Sequence, residues 1–332
     1  MKQQAFIKSV MVTSVALVLS ACGGGGGGGG GSDREVSSGG SLSLDDGGYS
    51  TRKASLSTQE DFEGTTSAYQ SSEEALDLVT EVEDVINYGG LEEIVHDGAT
   101  AQAHDDSVDL ACENESGSVK VTDKSVSSVI DLRYDFSNCR LTTVSFGQVE
   151  LNGSYTYQES GSSSSGSESW SGSETFNISG SFVVSGTPFA LKGGDSWSES
   201  YDAAAEQGTL TLTSNVLEFK KGTSYVALQN SLITLSVDGN QLALNTQFKL
   251  ISSAMNGYVD YTTPSPVVID LSQETLCPIQ GINRMAGDGV VEVRYGMDTG
   301  TSADVVVEVN SNTVASYETC DESGINLFPG TL

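Results

Sequence analysis

Basic residues are scarce in this chain. Its 332 residues include 15 Lys and Arg against 45 Asp and Glu, a formal charge of −30. Phosphate backbones would be repelled, which excludes nucleic acid as a partner. Anionic lipid head groups are disfavoured for the same reason. Histidine is scarcer still. His96 and His104, with Asp105 beside the second, are the weak candidates for a metal site. Imidazole and carboxylate suit a divalent ion, but a seven-residue gap between histidines is no established zinc spacing, so no metal is expected. The chain has no C-x-x-C pair, no G-x-S-x-G elbow, no Walker A lysine and no EF-hand loop. Those absences remove the local signatures of the common zinc, hydrolase, nucleotide and calcium sites. Ser50 and Lys53 match S-x-x-K, yet no S-D-N or K-T-G accompanies them. The reading is a non-enzyme with no cofactor. Long apolar runs are missing too: Ser9 to Leu19 is too short to span a bilayer.

What is present begins with that run. Met1 to Lys8 carries Lys2 and Lys8 and no acid; Leu19, Ser20, Ala21 and Cys22 close the apolar stretch. A charged start, a short apolar segment and small residues before a cleavage point make a signal peptide over residues 1–21. The LSAC tetrad resembles the lipobox of bacterial lipoproteins, with Leu three residues before the cysteine. The resemblance implies that Cys22 carries diacylglycerol through a thioether, becomes the new N-terminus and is then N-acylated. Each buried acyl CH₂ contributes ~0.8 kcal/mol, and lasting anchorage needs more than one chain. A triply acylated cysteine meets that condition. Gly23, in place of Asp, resembles the pattern that sorts Gram-negative lipoproteins to the outer membrane. The implied partner is a membrane, reached through the lipid on Cys22, with the chain on its periplasmic or outward side.

Nine glycines follow, Gly23 to Gly31. They cannot hold regular structure, because Gly loses the most backbone freedom on ordering. Ser, Gly and Asp continue to about Ser67, so 22–67 reads as one flexible tether with a root-mean-square reach of ~35–40 Å. The remaining residues, about 265, suffice for one large core or two smaller ones. They hold Cys112, Cys139, Cys277 and Cys320. An even count in an exported chain suggests two disulfides with three possible connectivities. Pairing sequence neighbours gives Cys112–Cys139 and Cys277–Cys320.

Residues 68–110 read as a helical segment. Ser71 and Glu74 form a capping box, and Ala75, Leu78, Val79, Val82, Val85 and Ile86 recur at three- and four-residue steps before Gly89 and Gly90. From about Gly117 the period becomes two. Leu151, Gly153, Tyr155 and Tyr157 alternate with polar residues, as do Leu210 with Leu212 and Leu242 with Leu244. Val291, Val293 and Tyr295 match Val305, Val307 and Val309 as a hairpin, and VDGNQ at 237–241 is a strong turn. No helical crossovers separate these strands, so antiparallel pairing follows. The expected fold is mainly β: a large antiparallel, twisted sheet or open barrel with one N-terminal amphipathic helix. Residues 111–272 form its β domain and 273–332 a C-terminal β unit closed by Cys277 and Cys320.

Trp170, Trp197 and Tyr201, with Tyr155 and Tyr157, sit among small polar residues. They are the weak carbohydrate candidates, since flat rings flanked by hydroxyls stack on sugars. Strands favour Trp and Tyr in any case. The sequence thus points to a lipid-anchored protein of the outer membrane, a non-enzymatic binding or structural module. The alternatives are a carrier of lipid or another hydrophobic ligand on a concave sheet, and a polysaccharide-binding or hydrolysing protein. It assigns neither a protein nor a glycan partner.

Overall fold

The computed structural model describes residues 47–57, 106–112, 116–126, 128–143, 146–164, 166–273 and 277–320. The helix read over 71–90 lies outside them, as do Cys22, His96, His104 and Asp105. No helix of the described residues is long and apolar enough to cross a membrane.

The described residues form fourteen strands in one antiparallel sheet, in sequence order. The first six are β1 (Asp106–Ala111), β2 (Ser118–Asp123), β3 (Val129–Thr143), β4 (Gly147–Ser164), β5 (Ser167–Phe182) and β6 (Pro188–Asp202). There follow β7 (Gln207–Lys221), β8 (Ser224–Asp238), β9 (Gln241–Ser252) and β10 (Gly257–Asp270). The shorter β11 (Pro278–Ala286), β12 (Val290–Gly296), β13 (Val305–Val309) and β14 (Asn312–Tyr317) complete it. Each strand pairs with the next in the chain; tight turns such as Asp238 to Gln241 set some of these hairpins, while residues 297–304, with a 3₁₀ turn at Met297–Thr299, join β12 to β13. β1 and β14 are the two edges, and the described residues do not close the sheet into a barrel. Two boundaries of the sequence reading move. Residues 106–110, assigned to the helical segment, belong to β1, where Val108 and Leu110 pair with Val121 and Val119. The limit at 272/273 falls inside one continuous sheet, because β11 pairs with β10.

Side chains alternate between two faces. The inner face carries a core running from β2 to β13. Leu210, Leu212, Leu217 and Phe219 on β7 oppose Leu235, Ile233, Leu228 and Val226 on β8. Val291, Val293 and Tyr295 oppose Val309, Val307 and Val305, the register that their spacing implied. A ladder of stacked rings, Tyr134, Tyr155 and Phe176, crosses β3 to β5 with centroids 5.8 and 5.1 Å apart. Two disulfides brace the ends of the sheet. Cys112 joins Cys139 with Cα atoms 5.4 Å apart, and Cys277 joins Cys320 at 5.8 Å. Their separations of 27 and 43 residues correspond to about 3.5 and about 4 kcal/mol on the loop-entropy account.

Residues 47–57, read as tether, are instead seated in the fold. After a 3₁₀ turn at Tyr49–Thr51, this strap crosses one end of the sheet, over the β9–β10, β11–β12 and β13–β14 turns. Ala54 N donates to Tyr258 O and Tyr258 N to Arg52 O, both at 2.8 Å; Asp288 N donates to Ala54 O at 2.9 Å. Leu56 N donates to Asp288 Oδ1, and Asn310 Nδ2 to Leu56 O. Gly287 and Gly289 permit the approach, since a Cβ there would lie 2.3 Å from Ala54 O or 2.4 Å from Leu56 O. Leu56 is fully buried, worth about 2 kcal/mol. Alternation of apolar and polar residues in ASLS is too brief a signal to separate such a strap from its low-complexity surroundings.

Candidate functional site

The aromatic candidates all lie on the inner face. Trp170 on β5 covers Gly161 on β4, where a Cβ would come within 2.2 Å of the indole. Trp197 on β6 covers Gly172 on β5, and Tyr201 covers Gly208 on β7, with corresponding distances of 2.6 and 2.9 Å. Each ring fills the space its glycine leaves, so packing accounts for all three. Sugar stacking gains no support from this placement.

Among these rings runs a band of acids. Glu159 on β4 is buried and accepts a hydrogen bond from the Tyr157 phenol. Glu174 on β5 directly opposes Asp195 on β6. Burial, and then the Glu174 charge beside it, push the Asp195 carboxyl up to about 8. At neutral pH Asp195 therefore keeps its proton, because burial first and the neighbouring Glu174 second disfavour its charged form.

The outer face differs. Across β2 to β5 it forms a polar hollow of 460 Å³, lined in part by Lys124, Asp131, Arg133, Asp135, Gln158 and Ser173. Arg133 grips Asp135 through Nε and Nη2 at 2.7 to 3.1 Å, and that carboxylate raises the guanidinium's pKa. The hollow's two acids and two bases cancel. Alternation explains its charges: in DLRYDF, Leu132, Tyr134 and Phe136 turn to the core while Asp131, Arg133 and Asp135 turn out. Sequence reasoning missed these residues, although charges at period two were the available signal.

From the hollow, rows of uncharged side chains run across the outer face. Asp131 pairs with Gln158, Gln158 with Ser173, Ser173 with Ser196 and Ser196 with Thr213. The next row is Ser160, Ser171, Ser198 and Thr211, and the next Ser162, Ser169, Ser200 and Thr209. Neighbours within a row lie about 4.8 Å apart, and rows about 6.8 Å apart, by strand geometry. Ser196 and Thr213 share a hydrogen bond at 2.7 Å, and most of the other hydroxyls are exposed. A membrane-spanning barrel would turn an apolar band outward here; β4 to β7 turn hydroxyls outward instead.

Among the described residues, sulfur and carboxylate ligands also meet at Cys277, Asp304 and Cys320. The two sulfurs are bonded to each other, which leaves neither thiolate for a metal. No family model matches this chain, and no curated protein or solved structure matches it either.

Proposed function

We propose that this chain is a lipid-anchored outer-membrane protein whose sheet serves as a non-enzymatic binding module. The strap supports the arrangement: the chain enters the body at one end, so an anchor on Cys22 would hold that end toward the bilayer. The 24 residues between Cys22 and Gly47 would give a slack of ~27 Å root-mean-square as a Gly/Ser coil. The observation that favours binding over carriage is the state of the inner face. Leu210, Leu235, Leu244 and Phe248 are 2 to 5 % exposed, so these apolar side chains are covered and do not front an open trough for a lipid tail. Polar chemistry is offered on the outer face, where a partner has access.

The anchor is tested with Cys22→Ala. The variant should lose metabolically incorporated palmitate and move from the membrane to the soluble envelope fraction. Unlabelled wild-type protein, or a variant retained in the membrane fraction as fully as wild type, would overturn the assignment.

A further inference from the structure

We propose that the outer face of β2 to β7 binds an uncharged polysaccharide, with a sugar residue in the hollow and the chain continuing along the hydroxyl rows. This rests on reading the sheet as a binding module and supplies its ligand class. The argument starts from charge. On a chain of −30, the three rows from Gln158 to Thr213 are free of charge, and the hollow's Lys124, Arg133, Asp131 and Asp135 balance. A cationic ligand would find no excess of acid there. An anionic polymer, or a second copy of this chain, would approach against the whole molecule's negative field. A neutral, hydroxyl-rich polymer meets no such penalty.

The geometry adds reach and multiplicity. Sugar hydroxyls both donate and accept, and each Ser and Thr hydroxyl does the same. One such exchange with water contributes little net free energy. Rows held in register by the strand ladder offer many at fixed spacing without ordering flexible loops, which limits the entropy lost on binding. The hollow supplies groups of another kind: the Gln158 amide, the Asp131 carboxylate and the Arg133–Asp135 pair. It joins the rows directly, because Asp131, Gln158, Ser173 and Ser196 form one continuous line across four strands.

The test is retention of the detergent-solubilised mature protein on insoluble neutral polysaccharides (amorphous cellulose, chitin, mannan and cross-linked dextran), with cross-linked polygalacturonate as the anionic comparison. Retention on at least one neutral matrix, persisting in 1 M NaCl, is expected. Ser171→Lys, placed in the middle row, should weaken it at least tenfold. Ser316→Lys, on the exposed edge strand β14, should leave it unchanged. Circular dichroism and non-reducing peptide maps establish that both variants fold. Gln158→Ala should weaken retention without adding charge. Binding to none of the neutral matrices, preference for polygalacturonate, or equal retention of Ser171→Lys and wild type would overturn the proposal. So would sedimentation showing a dimer that Ser171→Lys dissolves. Because the assay uses isolated protein, its failure leaves the palmitate and fractionation result on Cys22 untouched.

Discussion

The two halves of the sheet solve the same packing problem with different side chains. From β7 to β13 the inner face is filled mainly by Leu, Val, Ile and Phe opposing one another in register, with Tyr261, Met285 and Tyr295 buried among them. Over the far halves of β4 to β6 it is filled by large rings laid on glycines, with carboxyls between them. An aliphatic core gains from every methylene removed from water. A ring-on-glycine core concentrates its contacts in few side chains and tolerates no added carbon. It also leaves the outward positions to small hydroxyls. The difference shows that one continuous ladder of backbone hydrogen bonds can carry two unlike interiors, and that the hydroxyl rows lie on the outer face behind the less aliphatic one.

Substitutions can break this contrast, and the largest effect belongs to the aliphatic half. Phe248 is buried and stacks on Tyr261 with centroids 4.7 Å apart. Phe248→Ala should cost about 3–5 kcal/mol in chemical denaturation; a loss below 1 kcal/mol would mean that the aliphatic half is not the tightly packed one. A change of opposite sign is expected at Asp195. Its folded-state carboxyl, near 8, lies above the ordinary ~3.9 of an unfolded Asp. The folded chain therefore binds the extra proton between these values. Stability falls as pH rises from about 4 to about 8 and is level above that. Asp195→Asn cannot ionise, so it should be more stable than wild type at pH 9 by about 2–4 kcal/mol and nearly equal to it at pH 4. Equal stabilities at both pH values would remove the protonated Asp195. The smallest effect sharpens the ring-on-glycine picture. Gly172→Ala sets a Cβ 2.6 Å from both Gln158 O and the Trp197 indole, and should cost about 1–3 kcal/mol. A neutral result would show that both the ring and the β4 backbone at Gln158 give way without cost.

Much of the sheet was legible because period two is a local property. The register of Val291, Val293 and Tyr295 on Val309, Val307 and Val305 follows from matching apolar stripes on either side of residues 297–304. The turn around Gly239, with φ of 57°, follows from VDGNQ. Legibility stopped where partners are remote. The indole of Trp197 is explained by Gly172, and Leu56 by turns more than 200 residues later. Neither relation leaves a mark within a window of sequence. The hydroxyl rows sit between these cases. Their alternation is plain in SGSESWSGSE, but which serine lies beside which depends on the register of long strands, and on the shift between Gly194 and Ser196.

The strap has a mechanical consequence. A tug arriving from upstream is passed along the strap, through the Tyr49 ring against Tyr225, the Ser50 carbonyl that Lys249 Nζ holds at 2.6 Å, the two contacts with Tyr258, then Asp288 and Asn310. Those bonds open one after another, as in peeling, before any strand ladder bears load. Drag on the body would thus be absorbed at its rim, like a seam that unstitches while the cloth stays whole, and the segment would re-lace when the strain passes.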